Sequence, residues 1–285
     1  MPLTEPGCLY IVATPIGNLD DITHRAVSVL QFVDAIAAED TRHSRVLLRH
    51  LGVDTPLFAL HEHNEAQASA GIIKRLQAGE TIALISDAGT PLVSDPGFVL
   101  VREARRSAIR VIPVPGASSI LTALSCSGLP TDRFIFEGFL PSKQGTRQNR
   151  LKELARESRT LVFFEAPHRI LACLEDMKIV FGAERKAVVA REMTKAHETF
   201  LDGSLEDLVE QVKSDSNQSR GEIVLVVEGN VAAPVLNQDN CQLLDVLQEE
   251  LPLKKAAALA AKITGVSKKI FYQYGLENKD KTSNQ

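Results

Sequence analysis

The stretch Thr81–Gly97, TIALISDAGTPLVSDPG, decides the fold class of this chain. Its apolar run Ile82–Ile85 is too short for a helix and stops at a loop rich in Gly, Pro and Asp, which predicts a strand buried on both faces. In open α/β sheets, ligands bind where loops leave the carboxyl ends of such strands. We therefore expect the loop amides and the Asp87 carboxylate to face a ligand. An ordinary strand-to-helix connection is the alternative.

The same alternation of strand and helix extends over the first half of the chain. A helical pattern follows each of five predicted strands, at residues 8–14, 34–38, 56–60, 82–85 and 110–114. Very short connections between such elements indicate parallel βαβ units and hence a doubly wound α/β sheet. Because the carboxyl ends of parallel strands meet at one edge, five loops should converge on one cleft: Pro15–Asn18, Glu39–Arg42, His61–Asn64, Asp87–Pro91 and Gly116–Ser119.

Breaks in the pattern divide the chain into three parts. The segment Gly128–Asp132 predicts a boundary between an N-terminal parallel-sheet domain, residues 1–128, and a mixed-sheet α/β domain, residues 129–235. Residues 236–285 predict a small helical unit with a helix, a short Gly-containing turn and a second helix, typical of a helix-turn-helix. A dimer-stabilising or capping bundle is the alternative for this unit. The polar tail Glu277–Gln285 is predicted to be disordered.

Composition limits the function classes. A content of 44% hydrophobic and 24% charged residues is typical of a globular protein, and the net charge of −4 does not mark a nucleic-acid binder. The four cysteines are scattered without a CxxC pair, which disfavours a zinc site or disulfide framework and indicates reduced thiols. The N-terminus resembles no signal peptide and no run reaches membrane-spanning length, so we expect a cytoplasmic protein without a metal.

The common nucleotide-binding sequence motifs are absent from these loops. Neither GxGxxG after the first strand nor GxxxxGK[ST] occurs, which disfavours the usual NAD and NTP sites. The segment Asp87-Ala88-Gly89-Thr90 is superficially similar to an aspartyl-phosphate loop. That chemistry needs a second carboxylate two residues after the nucleophile, where this chain has Gly89, so a phosphotransferase is only a secondary interpretation.

Seven motifs together carry a more specific resemblance. They occur in the order ATPIGNLDDIT, AEDTR, HEHNE, SDAGTPLVSDPG, PGASS, FFEAPHR and REMTKAHE. As an ordered set over nearly the whole chain, they closely resemble the ribosomal RNA small subunit methyltransferase I group of the tetrapyrrole-methylase-like superfamily. The resemblance implies a class III fold, with two α/β domains and S-adenosylmethionine in the cleft between them, usually in a homodimer. It also implies methyl transfer to the ribose 2′-hydroxyl of a cytidine in small-subunit ribosomal RNA.

The resemblance also implies which residues contact the cofactor. Phe164, from the second domain, would close over the adenine or the sulfonium. The superfamily often has GDP where this chain has Ser86-Asp87-Ala88, which keeps the aspartate in register. Simple helix capping is the alternative role for the two serines of PGASS. The implied first-domain contacts are Pro15, Ile16, Asp87, Ala88, Gly89, Thr90, Ser118 and Ser119.

Two basic segments are the candidates for RNA contact. The segment 141–152 is expected to be a long connection, and it carries four basic residues and no acid, which favours phosphate binding over a merely solvated loop. The helical unit carries five lysines between Leu251 and Tyr272 and no acid, so salt-sensitive phosphate binding is expected there too. The candidate residues are Lys143, Arg147, Arg150, Lys152, Lys254, Lys255, Lys268 and Lys269.

Catalysis requires that the acceptor be aligned with the methyl donor and that a poor nucleophile be activated. Methyl transfer from a sulfonium is an in-line displacement, and a ribose hydroxyl needs a base or a charge that stabilises its alkoxide. Because they follow strands that face the same cleft, Arg42 and Asn64 are predicted to position RNA, and His61 or Lys195 to assist deprotonation. Each has a structural hydrogen-bonding role as its alternative.

Two other function classes remain open at this point. A methylase of small, tetrapyrrole-like molecules could share the fold, but such a substrate does not need the basic segments. A non-catalytic RNA-binding or assembly protein could retain the cofactor fold. Cofactor binding without turnover on RNA would favour the second of these.

Overall fold

The computed structural model describes residues 7–230 and 238–282, which belong to two compact units that meet in sequence at Gly229 and Asn230. The first unit contains two five-stranded sheets. The strands of the first sheet are β1 (Cys8–Val12), β2 (Ala35–Ala38), β3 (Leu57–Ala59), β4 (Ile82–Ile85) and β5 (Arg110–Val114). The helices that follow them are α1 (His24–Phe32), α2 (Thr41–His50), α3 (Glu65–Gln77), α4 (Phe98–Arg106) and α5 (Ser119–Cys126).

The first sheet is parallel throughout and has the order β3-β2-β4-β1-β5. All four residues of the central strand β4 are buried, because one apolar cluster packs α1 and α2 on one face and another packs α3 and α4 on the other. Side chains buried on both faces explain why this strand is an unbroken apolar run. The predicted doubly wound sheet is confirmed.

The strands of the second sheet are β6 (Phe134–Phe139), β7 (Thr160–Glu165), β8 (Lys186–Arg191), β9 (Thr199–Ser204) and β10 (Ile223–Val227). Its helices are α6 (Gln144–Leu154), α7 (Ile170–Phe181) and α8 (Leu205–Ser214). The sheet is mixed, with the order β6-β7-β10-β8-β9, and only β6 and β7 are parallel neighbours. Helices α6, α7 and α8 cover one face, and α5 from the first half of the chain packs on the other and joins the two sheets.

Helix α6 replaces most of the basic connection predicted at 141–152. Arg147, Leu151 and Leu154 recur at helical spacing and are buried on one side of the helix. With only two leucines, and with Gly145 in its first turn, the segment lacks the apolar periodicity that would have revealed it. The expectation of an irregular loop is therefore wrong.

The second unit consists of three helices, α9 (Gln238–Glu250), α10 (Leu253–Thr264) and α11 (Lys268–Thr282). Gly265, at φ 75°, makes the left-handed turn between α10 and α11, and Phe271 is fully buried in the core that the three helices share. Because α11 continues to Thr282, the prediction of disorder from Glu277 onward is wrong for residues 277–282. The remainder of that tail, and the predicted boundary between residues 235 and 236, lie outside the described residues.

Among the described residues, none of the helices combines the length and apolarity that a membrane crossing needs.

Candidate active site

The loop after β4 is tied to its neighbours by backbone hydrogen bonds. Thr14 and Gly89 exchange both of theirs, at N–O distances of 2.9 and 3.0 Å, so the loops after β1 and β4 lie side by side. Thr90 Oγ1 donates to the Ala117 carbonyl at 3.2 Å, which joins the same loop to the start of α5. Asp40 N also donates to Asp87 Oδ1 at 3.1 Å, which ties in the loop after β2. Four of the five predicted loops therefore converge, as the parallel topology requires.

The far end of this loop is held by a carboxylate. Glu65 Oε1, at the start of α3, accepts hydrogen bonds from the amides of Gly97 and Val99 at 2.9 and 2.7 Å. These are free donors at the first turn of α4, and a carboxylate is favourable there. Gly97 has φ 126° and an added Cβ would lie 2.6 Å from Leu84 Cδ2, so this position requires glycine. The last residue of the HEHNE motif therefore shapes the loop.

Three adjoining cavities open at these loops. The large cavity, about 420 Å³, lies between the first-sheet loops and the second sheet, with Ile16 and Ala88 on one side and Phe139 and Phe164 on the other. A small recess of about 60 Å³ lies beside it at the start of α5. The side cavity, about 260 Å³, shares Ile16, Ala88 and Glu222 with the large cavity.

All nine predicted cofactor contacts line one of these cavities. Phe164 and Ser119 line both the large cavity and the recess, while Pro15 and Asp87 line the side cavity. Ser118 precedes α5 without donating or accepting a side-chain capping bond, which leaves the amides of that helix end without this partner. The remaining members of the set line the cavities as well: Ile16, Ala88, Gly89, Thr90 and Ser118.

The sequence interpretation missed several residues of the large cavity, and Asp95 is the most informative of them. Burial, together with the nearby charge of Asp87, raises the pKa of Asp95 to about 6 despite a hydrogen bond from Ser86. Burial and the charges of Asp95 and Asp87 also raise the pKa of Glu39. Asp95 belongs to the second Ser-Asp pair of the quoted motif SDAGTPLVSDPG, but hydrophobic periodicity does not reveal that it faces a cavity. Met193, Glu165 and Glu222 were missed for the same reason.

A lysine from the second sheet enters the side cavity. Lys195 Nζ lies 2.9 Å from Glu192 Oε1 and 3.2 Å from Glu222 Oε2. Although burial alone lowers the pKa of Lys195, its hydrogen bond to Glu192 and its interaction with Glu222 raise it above the ordinary value. Asn18 N donates to Thr194 Oγ1 at 3.0 Å, which brings the loop after β1 against the lysine loop. The side cavity is therefore lined by the ion-paired Lys195 as well as by Asp87.

Comparisons with known proteins identify the family of this arrangement. The family profile described as Tetrapyrrole (Corrin/Porphyrin) Methylases matches residues 8–209, and that of the RsmI C-terminal HTH domain matches residues 236–279. The chain belongs to the tetrapyrrole methylase family. It is 56% identical to Ribosomal RNA small subunit methyltransferase I of Pseudomonas aeruginosa, over 97% of this chain and 99% of that protein.

Solved tetrapyrrole methylases have the same fold. A cobalt precorrin-4 methyltransferase superposes with a TM-score of 0.60 at 17% identity, covering 78% of this chain and 95% of the other. A uroporphyrin-III C-methyltransferase from Thermus thermophilus, complexed with S-adenosylhomocysteine, superposes with a TM-score of 0.55 at 19% identity, covering 78% of this chain and 97% of the other. At these identities the likeness shows the fold alone.

Three of the four predicted catalytic residues of this tetrapyrrole methylase line none of the three cavities. Asn64 Oδ1 accepts from His61 N at 2.8 Å and its Nδ2 donates to Ala59 O, so its amide shapes the turn before α3. Arg42 is paired with Asp40 at 2.8 Å, with 89% of its side chain exposed. The geometry therefore supports a turn role for Asn64 and leaves Lys195 at the site. The imidazole Nδ1 of His61 is buried without a hydrogen-bond partner.

The eight predicted RNA contacts differ in how far their side chains are exposed to solvent. Arg147 is buried, its Nη2 lies 2.6 Å from Asp176 Oδ2, and it is not available to RNA, which corrects that prediction. Arg150 is shared between Glu137 and Glu153 and is only partly exposed. The other six predicted contacts are all exposed: Lys143, Lys152, Lys254, Lys255, Lys268 and Lys269.

Proposed function

We propose that this tetrapyrrole methylase transfers a methyl group from S-adenosylmethionine to the ribose 2′-hydroxyl of a cytidine in small-subunit ribosomal RNA. The observation that carries the proposal is the 56% identity, over nearly the full length of both chains, to a ribosomal RNA small subunit methyltransferase. The five lysines between Leu251 and Tyr272 of the helical unit support an RNA substrate over a small molecule, because phosphate contact uses exposed cations.

The residues present fit the cofactor. A volume of about 420 Å³ is within the range of small-molecule sites, and Phe164 and Phe139 offer apolar and aromatic surface for a purine. Ser118 and Ser119 stand at the amino end of α5, where backbone amides favour a carboxylate. Asp95 supplies a carboxylate suited to the cofactor's cationic groups or ribose hydroxyls.

S-adenosylmethionine, when bound, supplies a methyl group on a positively charged sulfur. The protein aligns acceptor and donor and stabilises the oxygen that receives the methyl group. The proton of that oxygen leaves to solvent or to the carboxylate of Glu222, which lines both the large and the side cavity. Lys195 is suited to stabilise that oxygen because its raised pKa keeps it protonated at neutral pH. A lysine assists deprotonation either by accepting the proton or by stabilising the alkoxide with its charge. The geometry around Lys195 supports the second of these roles.

Two further parts of the proposal concern the oligomeric state and the cellular location of the enzyme. Family resemblance supports a homodimer, and an rRNA substrate supports a cytoplasmic location. Sedimentation of the purified protein with and without cofactor would test the dimer directly. A species with the mass of one chain at micromolar concentration would contradict it.

The decisive experiment uses purified full-length protein and methyl-labelled S-adenosylmethionine. Small ribosomal subunits and extracted small-subunit rRNA serve as alternative acceptors, and nuclease digestion identifies the labelled nucleoside. We expect label in one 2′-O-methylcytidine. Cofactor binding without labelled RNA from either acceptor would contradict the proposed function, and label in a base instead of a ribose would contradict the reaction.

A further inference from the structure

The side cavity is set apart from the large cavity by a common wall. Ile16, Ala88 and Glu222 line both, whereas the residues that face only the side cavity come mainly from the loop after β1, from α2 and from Lys195. In-line methyl transfer needs an acceptor beside the donor and on the far side of the methyl group. Two neighbouring cavities with a common wall provide that arrangement.

One polar group in the side cavity has no partner. Ser44, on α2, is 2% exposed, lines this cavity, and its Oγ makes no hydrogen bond to any described residue. A buried hydroxyl without a partner is costly, and many helical serines avoid this by bonding the carbonyl four residues earlier. Ser44 therefore has an unused donor and acceptor at the wall of the side cavity.

The same helix carries a strong positive charge on its exposed side. In Thr41–His50, TRHSRVLLRH, three arginines and two histidines are all exposed, and the helix contains no acid. This contrasts with the net charge of −4 for the whole chain. On the cavity side, Leu47 is buried while Val46 is 63% exposed, so an apolar edge borders the entrance. Phosphate contacts beside an apolar cavity suit a single-stranded nucleic acid with one nucleoside turned inward.

We propose that α2 is an RNA-docking helix and that the side cavity receives the target nucleoside, whose base hydrogen-bonds to Ser44 Oγ. The ribose occupies the end at the common wall, beside Lys195, because the methyl group must cross there. The base then occupies the end beside Ser44 and Leu47, and Arg45 and Arg49 hold the flanking phosphates. Pro15 and Asp87, predicted as cofactor contacts, line only the side cavity and are assigned here to the acceptor side. This inference rests on the proposed function and identifies where its acceptor binds.

The first test is Ser44→Ala in the full-length protein. Because the hydroxyl has no partner in the protein, its removal should leave the melting temperature unchanged or raise it. The Kd for S-adenosylmethionine should stay within twofold of the wild-type value. If the hydroxyl bonds the base, kcat/KM for small-subunit rRNA falls about tenfold. Unchanged kcat/KM on RNA would overturn the role of Ser44.

The second test is the double variant Arg45→Glu/Arg49→Glu, with Lys74→Glu/Arg105→Glu as its control. The control changes the charge by the same amount at exposed positions on α3 and α4, outside all three cavities. We expect KM for RNA to rise at least tenfold in the α2 variant only, and the slope of log affinity against log salt to fall by about 0.7 for each lost phosphate contact. Equal effects in both variants would overturn the docking helix.

The wild-type enzyme separates this inference from the proposed function. If the wild type labels no RNA, the proposed function fails and both tests lose their reference. If the wild type labels RNA and the Ser44 and α2 variants match it, only the acceptor site proposed here is wrong. Binding of cofactor by every variant shows in each case that the chain is folded.

Discussion

Gly17 lies where the loop after β1 packs against the loop that carries Lys195. A Cβ at this position would be 2.5 Å from Lys195 Cγ and 2.9 Å from the Met193 carbonyl oxygen. The backbone oxygen cannot move without shifting the lysine loop. Glycine is therefore required at this point of ATPIGNLDDIT because a side chain would separate the loops that form the side cavity.

Gly17→Ala should displace the lysine loop and destabilise the protein by about 1–3 kcal/mol, the usual cost of overpacking. Methyl transfer to RNA should fall more than cofactor affinity, since Lys195 borders the acceptor side. The matched control is Gly71→Ala in α3, where an added Cβ meets nothing within 4 Å and should stabilise by about 0.5–1 kcal/mol. Denaturant unfolding and steady-state kinetics measure both, and equal stability of the two variants would contradict the prediction.

Asp95→Asn should stabilise the protein at neutral pH. Because the pKa of Asp95 is raised to about 6, the folded state binds its proton more tightly than the unfolded state, with a pKa of about 4, and stability falls as the pH rises between these values. Asparagine never ionises beside Asp87 and Glu39. The variant should melt above the wild type at pH 7.5, with a difference that shrinks towards pH 4.5.

Thermal melts at the two pH values, with Asp202→Asn at an exposed carboxyl as control, test this prediction. A pH-independent difference would contradict it. The same variant should lose more affinity for S-adenosylmethionine than for S-adenosylhomocysteine, because only the former carries the sulfonium charge that a carboxylate stabilises.

At the scale of single elements, helix α6 shows that a basic residue can stabilise the fold instead of binding RNA. Asp176 is buried on α7. Burial alone would raise its pKa, but hydrogen bonds from Gln148, Gln144 and Arg147 lower it. Arg147 Nε and Nη2 both lie 2.6 Å from Asp176 Oδ2. These contacts hold α6 on α7 by satisfying a buried charge that would otherwise be costly.

Arg147→Met should therefore destabilise the protein by about 3–5 kcal/mol, since it leaves the Asp176 carboxylate buried and unpaired. Arg150→Met, three residues later on the same helix, removes ion pairs of a partly exposed arginine and should cost less than about 1 kcal/mol. Urea unfolding of both variants provides the measurement. Similar midpoints for the two would contradict this account of α6.

How far the sequence could predict this fold varies from element to element. The strands of the first sheet are uninterrupted apolar runs that end in Gly/Pro-rich loops, so both their existence and the meeting of their loops could be predicted. Helix α6 could not, because an arginine takes a position in its buried face that pattern analysis treats as solvent. Ser44 and Asp95 were missed for a related reason, since burial of a polar side chain depends on tertiary contacts.

At the scale of the whole molecule, the acidic chain carries its positive charge in separate places. The exposed lysines of α10 and α11 form one of these in the second unit. Lys268→Glu/Lys269→Glu should raise KM for ribosomal RNA several-fold and reduce its salt dependence, with the cofactor Kd unchanged. The Lys74/Arg105 control applies here as well. If the dependence of RNA affinity on salt concentration equals that of the wild type, Lys268 and Lys269 do not contact RNA phosphates and the helical unit has another role.

The place of β10 in the second sheet has a consequence for how the protein is made. This strand lies at the sheet centre between β7 and β8, yet among the strands of this sheet it is the last to leave the ribosome. Until it arrives, β7 and β8 have no neighbour in common, and Glu222 and Val224 are missing from the large cavity. The first sheet can therefore fold during synthesis, whereas binding of the methyl donor begins to protect the nascent chain only after Val227 has emerged.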